Sequence, residues 1–121
     1  MAYDENLAQD FRDLVEGLPD LSEKKMMGGV CFMLSGNMIG GADLSKTGQK
    51  RFMFRVGKPN TSEAEAIGHG EPLVQGGRLM SGFYFVDAED TPEHIIRKWV
   101  SLAVSHAMSL PPKTQARKAA G

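Results

Sequence analysis

The sequence predicts an α+β fold, a mainly antiparallel sheet with helices packed on it, in the order α-β-β-β-α-β-β-α. Three observations lead there. A helical apolar period fills residues 4–17, a two-residue alternation runs through residues 51–56, and a helix opened by Thr91-Pro92 closes the domain.

In the first helix Leu7, Phe11, Leu14, Val15 and Leu18 share one face, with Gln9, Asp10, Asp13 and Glu16 opposite. Asp4 and Glu5 suit the positive end of the helix dipole, and Gly17 with Pro19 provides the stop. Residues 24–34 predict one strand, with Val30, Phe32 and Leu34 on one side and Cys31 and Met33 on the other. Both sides are apolar, so this strand is expected to be covered twice, by helices or by a partner chain. Gly36-Asn37 reads as a hairpin turn leading into a strand over 38–43. The next strand, 51–56, alternates Phe52, Phe54 and Val56 with Arg51, Met53 and Arg55, the pattern of a half-buried strand.

Asn60 or Thr61 is expected to cap a short helix over 62–67, closed by Gly68. Strands near 72–74 and 80–86 follow, joined by a Gly76-Gly77 turn. For the last helix Thr91 is the expected cap and Pro92 the first helical residue, with Ile95, Trp99, Leu102, Ala103, His106 and Leu110 as the apolar stripe. Pro111-Pro112 ends it. The expected organisation is one domain over residues 1–112 and a disordered basic tail over 113–121.

The 121 residues are the length of one domain, and 41% hydrophobic with 24% charged is ordinary globular composition. No apolar run approaches the roughly 18 residues of a membrane span, and the acidic, polar start is unlike a secretory signal. A cytoplasmic location and no membrane partner are the expectation. The net charge is −1, and the tail carries Lys113, Arg117 and Lys118 with no acid, so the body is the acidic part. Direct nucleic-acid binding is therefore not expected, since that needs a basic surface.

No catalytic motif and no cofactor motif is found. The histidines His69, His94 and His106 lie at no metal-ligand spacing, and no cysteine or carboxylate cluster joins them. Cys31 is the only cysteine and sits among apolar strand neighbours, which makes it a structural residue rather than a reactive thiol. There is no Gly-x-Ser-x-Gly turn. The pairs Gly28-Gly29 and Gly40-Gly41 fall inside expected strands, where glycine marks a bulge or a close backbone approach. The missing side chains would also leave a shallow groove.

Two sets of residues remain as candidates for binding. Lys24, Lys25, Arg55 and Arg78, with Arg51, lie on or beside strands and are able to build a local anion site or a contact surface. The methionines, among them Met26, Met27, Met33, Met38, Met53 and Met80, suit adaptable contact surfaces as well as cores. Met53, on the outward side of its strand, is the clearest candidate. The binding residues expected from sequence are thus Lys24, Lys25, Met53, Arg55 and Arg78.

Several short motifs, taken in order, resemble one known family. They are Met1-Ala2-Tyr3-Asp4-Glu5, Glu23-Lys24-Lys25-Met26-Met27-Gly28-Gly29, Gly36-Asn37-Met38 and Phe54-Arg55-Val56-Gly57. Gly77-Arg78-Leu79-Met80-Ser81-Gly82, Tyr84-Phe85-Val86 and Ser109-Leu110-Pro111-Pro112-Lys113 complete the set. Over residues 1–113 the chain resembles the N-terminal domain of the TfoX/Sxy family of bacterial competence regulators, with Met27 where the family usually has phenylalanine. The full-length regulators carry a helical C-terminal domain after this one, and here the expectation is a stand-alone N-terminal domain. The resemblance implies transcriptional co-regulation through protein contacts, with a protein partner, the transcription machinery or a second copy, and it supplies no catalytic residues. A small-molecule or anion-binding domain, using the basic and glycine-lined sheet surface, is the second functional expectation.

Overall fold

The computed structural model describes residues 4–26 and 28–113. The elements are α1 (Glu5–Leu14), β1 (Leu21–Met26), β2 (Gly29–Leu34), β3 (Asn37–Leu44) and β4 (Lys50–Arg55), then a 3-10 turn (Lys58–Asn60). They continue with α2 (Thr61–Ile67), β5 (Gly70–Gln75), β6 (Arg78–Asp87) and α3 (Glu93–Met108). Six strands form one antiparallel sheet in the order β1-β2-β3-β4-β6-β5. The α+β class stands, with one strand more than the sequence predicted.

The extra strand comes from the segment read as a single strand over 24–34, which is a hairpin. Gly28, at φ 85°, lies at the reversal, and β1 pairs back on β2 from Leu21↔Leu34 to Met26↔Gly29. β1 is an edge strand with its side chains largely in solvent, so nothing imposes an apolar alternation on its sequence. Gly28 accordingly sits in a turn and not inside a strand. The following turn also shifts by one residue. Ser35 and Gly36 both have positive φ, 51° and 82°, which suits a tight hairpin, while buried Asn37 already pairs with Leu34.

Helix ends differ from expectation in the same way. Asp4 does cap α1, accepting from the Leu7 N–H at 3.1 Å. At α2 neither expected side chain caps: Asn60 Nδ2 donates to the Val56 carbonyl at 2.8 Å, and Thr61 Oγ1 to the Lys58 carbonyl at 2.9 Å. At α3 the cap position is Pro92, and Thr91 is buried just before it. The buried stripe of α3 is Ile96, Trp99, Ala103 and Ala107, with Ile95 and Leu102 half-buried beside it.

The main cluster of core side chains lies on one face of the sheet. Val30, Phe32, Phe52, Phe54, Tyr84 and Val86 alternate inward along their strands and meet α1 and α3. Phe11 of α1 stacks on Phe32 with centroids 4.7 Å apart, and Trp99 of α3 lies 5.9 Å from Phe54 and 5.3 Å from Tyr84. Trp99 Nε1 donates to the Gly68 carbonyl at 3.0 Å, so its one polar atom is satisfied. A side chain at Gly70 would overlap the Trp99 ring. A bulge in β2–β3 next to Phe32 and Met33 puts Ile39 into the core and leaves Gly40 at φ 155°, where a side chain would overlap the Met53 carbonyl. The described helices include none long and apolar enough to cross a membrane.

Candidate functional site

Among the described residues, no helix lies on the second face of the sheet. By strand alternation it carries Cys31 and Met33 from β2, Met38 and Gly41 from β3, Arg51, Met53 and Arg55 from β4, and Phe83 and Phe85 from β6. The double covering expected for the 24–34 segment is therefore realised once among the described residues, by helices on the core face. On the other face a groove of about 650 Å³ runs over Gly29, Cys31, Met38, Gly41 and Met53. Its walls come from both edges of the sheet: Met26 of β1, and Leu73 and Val74 of β5, with Met80, Phe83 and Phe85 of β6.

The wall at β5–β6 follows from a break in the pairing. The register shifts between Pro72 and Val74, and Gly82 takes φ 85° with no room for a side chain against Gly57 and Lys58. Leu73 is thereby 8% exposed, although its strand is otherwise mostly in solvent. The floor depends on missing side chains. A Cβ at Gly29 would overlap the Ala42 carbonyl, and one at Gly41 the Val30 carbonyl, so both stay flat and deepen the groove between their neighbours.

The two ends of the groove differ in charge. At one end Arg51 forks onto Asp43, with Nε to Oδ1 and Nη2 to Oδ2 both at 3.0 Å, and its guanidinium lies 3.6 Å from the centre of the Phe85 ring. That charge is neutralised, and exposed Lys46 is the one other cation lining this groove among the described residues. At the other end a second hollow of about 430 Å³ shares Met26, Cys31, Met38 and Phe83 with the first, and is lined by Lys24, Arg55 and Lys113. Among the described residues, none of these three cations forms an ion pair, whereas Arg12, Lys50, Arg51 and Arg97 all do.

The residues expected from sequence separate into three groups. Lys24, Arg55 and Met53 share the helix-free face, with Lys24 and Arg55 at the cationic end and Met53 in the floor. Lys25 pairs with Val30 and so belongs to the opposite, core-side parity of β1, as does Glu23, which binds Arg12 of α1 at 2.5 Å and 2.8 Å. Arg78 is exposed at the start of β6 beside the Gly76-Gly77 turn and lines neither hollow. Sequence reasoning missed Lys113, placing it in the tail. Its N–H donates to the Ser35 carbonyl at 2.7 Å, and Asn37 Nδ2 holds the Pro111 carbonyl at 3.0 Å, so the end of α3 is tied to the β2–β3 turn. Residues 114–121, read as disordered, lie outside the described residues, as does Met27.

Cys31 is 7% exposed with its Sγ 2.8 Å from Met26 Sδ. Burial pushes its pKa up, against a smaller opposite pull from Lys24, so it is a protonated thiol at neutral pH and not a nucleophile. His106 packs its ring against Gly57, where no side chain would fit. Burial first, and the Arg55 charge second, hold its pKa below the ordinary histidine range. Among the described residues no three His, Cys, Asp or Glu side chains converge to hold a metal ion.

Fold and face together define an α+β domain with one helix-covered side and one apolar, grooved side. Residues 13–107 match the TfoX N-terminal domain, and the chain belongs to that family. No curated protein and no solved structure matches it.

Proposed function

We propose that this chain is a non-enzymatic regulatory module that works through protein contacts, in the cytoplasm, and that the helix-free face of its sheet is the contact surface. The observation that carries this reading is the composition of that face. Met26, Met38, Met53, Phe83 and Phe85 surround a groove that none of the described helices covers. Methionine is unbranched and polarisable, so a methionine-lined surface adapts its shape to a protein segment at little cost. The family resemblance suggests the biological setting, transcriptional co-regulation, with the transcription machinery or a second copy of the chain as partner.

The test is a tagged pull-down from nuclease-treated lysate with three proteins: the wild type, Met53→Lys in the groove, and Arg97→Glu on α3 as a control. The reading expects a specific partner that Met53→Lys loses and Arg97→Glu keeps. A partner retained by a well-folded Met53→Lys protein would overturn it.

A second reading, a small-molecule or anion site, draws on the convergence of Lys24, Arg55 and Lys113 around one hollow. Such a ligand at 100 times its dissociation constant would add about 2.7 kcal/mol of stability. A thermal-shift screen of phosphates and small organic acids separates the two readings.

A further inference from the structure

The groove is asymmetric in a way that bears on what it takes. Its floor is apolar over most of its length, the neutralised Arg51–Asp43 pair and one exposed lysine, Lys46, line it toward one end, and three cations, Lys24, Arg55 and Lys113, line the hollow at the other. Apart from Arg51–Asp43, the ion pairs of the described residues lie away from this groove, in a chain with 15 acidic and 14 basic residues. Carboxylates are thus plentiful in the molecule, yet none is placed against Lys24, Arg55 or Lys113 among the described residues.

We infer that the partner segment is acidic and amphipathic: apolar side chains on the methionine floor, with carboxylates against Lys24, Arg55 and Lys113. This rests on the contact-surface reading above and adds the chemistry of the partner. Charge complementarity is the argument, because opposite charges both raise the encounter rate and fix which end of the segment meets which end of the groove. The same charges argue against two other occupants. The residues following Lys113 contain Arg117 and Lys118 and no acid, so the chain's own tail would be repelled. A soft metal ion on Met26, Cys31, Met33 and Met38 would sit beside three positive charges, which disfavours it.

The test uses three fluorescein-labelled peptides with the same leucine and phenylalanine positions, separated by glutamate, glutamine or lysine. Binding is followed by fluorescence anisotropy in low and moderate salt, with the wild type, Lys24→Glu/Arg55→Glu and Met53→Lys. Lys24 is exposed and Arg55 half-buried, so the double variant keeps the core. The expected result is glutamate-peptide binding about ten-fold tighter than glutamine-peptide binding, the order expected of three partly exposed charge pairs. That advantage should shrink as salt rises, and the double variant should prefer the lysine peptide. Equal binding of the glutamate and glutamine peptides, lost in Met53→Lys, would overturn the acidic partner and leave the contact surface standing. Binding of no peptide would also overturn the acidic partner, and the pull-down with Met53→Lys would then decide the surface by itself. Stabilisation by decanoate with no peptide bound would overturn it in favour of a small amphipathic acid.

Discussion

The two faces of this sheet share one backbone and one set of strands, yet they are built from different residues. The covered face is aromatic: Phe11, Phe32, Phe52, Phe54, Tyr84 and Trp99 form one connected group of stacked, tilted and edge-on ring contacts. The open face carries Met26, Met33, Met38, Met53 and Met80 among its lining residues, with two half-buried phenylalanines, and Lys24, Arg55 and Lys113 at one end. Rigid rings that fill a core specify one packing, whereas methionines accept several. The first face therefore holds the fold, and among the described residues no helix covers the second.

The largest way to break this contrast is Trp99→Ala. It removes the ring that joins α3 to Phe54 and Tyr84, and the account expects a loss of about 3–5 kcal/mol in denaturant melts. The corresponding truncation on the other face, Met53→Ala, is expected to cost less than Trp99→Ala, because Met53 is half-buried where Trp99 is fully buried. Comparable losses at both positions would erase the distinction. Next comes Gly40→Ala, which places a side chain at φ 155° against the Met53 carbonyl. It should cost about 1–3 kcal/mol, read in the same melts, and a neutral result would remove the bulge from the account.

A smaller effect concerns His106, whose ring packs against Gly57 and which feels the charge of Arg55. Its folded pKa is lowered from 6.5 by burial and, secondarily, by Arg55. The fold therefore favours the neutral ring. That contribution is fully present above about 6.5 and is lost as pH falls through the lower folded value. Wild-type stability should decline through this window, and His106→Gln should flatten the decline. Arg55→Met should raise the His106 pKa part of the way back, measured by proton NMR of the imidazole. The smallest expected effect is Arg12→Ala, which breaks the exposed pair to Glu23 between α1 and β1 and should cost about 0.2–1 kcal/mol in the same denaturant melts.

What sequence revealed depended on whether burial left a period in it. β4 was legible because Phe52 and Phe54 are buried on one side while Arg51, Met53 and Arg55 alternate with them. β1 was not, because as an exposed edge it has no buried side to mark, and so it merged with β2 across Gly28. For the site, Met53, Lys24 and Arg55 were found as residues worth attention. Their grouping with Lys25 and Arg78 failed because parity and register decide it: Lys25 is one residue from Lys24 and lies on the other side of the sheet. Lys113 was invisible since its position rests on hydrogen bonds to Ser35 and from Asn37 to Pro111, contacts 74 to 78 residues apart in sequence. The signal for the groove wall was present in Phe83-Tyr84-Phe85-Val86, where both parities are apolar, as they are in β2.

The central claim is that the helix-free face meets the partner, and the methionines themselves are able to report it. Mild peroxide oxidation of the free protein and of the complex recovered by pull-down, with each methionine quantified by mass spectrometry, compares the two sides directly. Met26 at 47% exposure marks the groove, and Met108 at 69% marks the outside of α3. The account predicts that the partner protects Met26 and Met53 while Met108 oxidises as before. Protection of Met108, with Met26 and Met53 reacting as in the free protein, would contradict it.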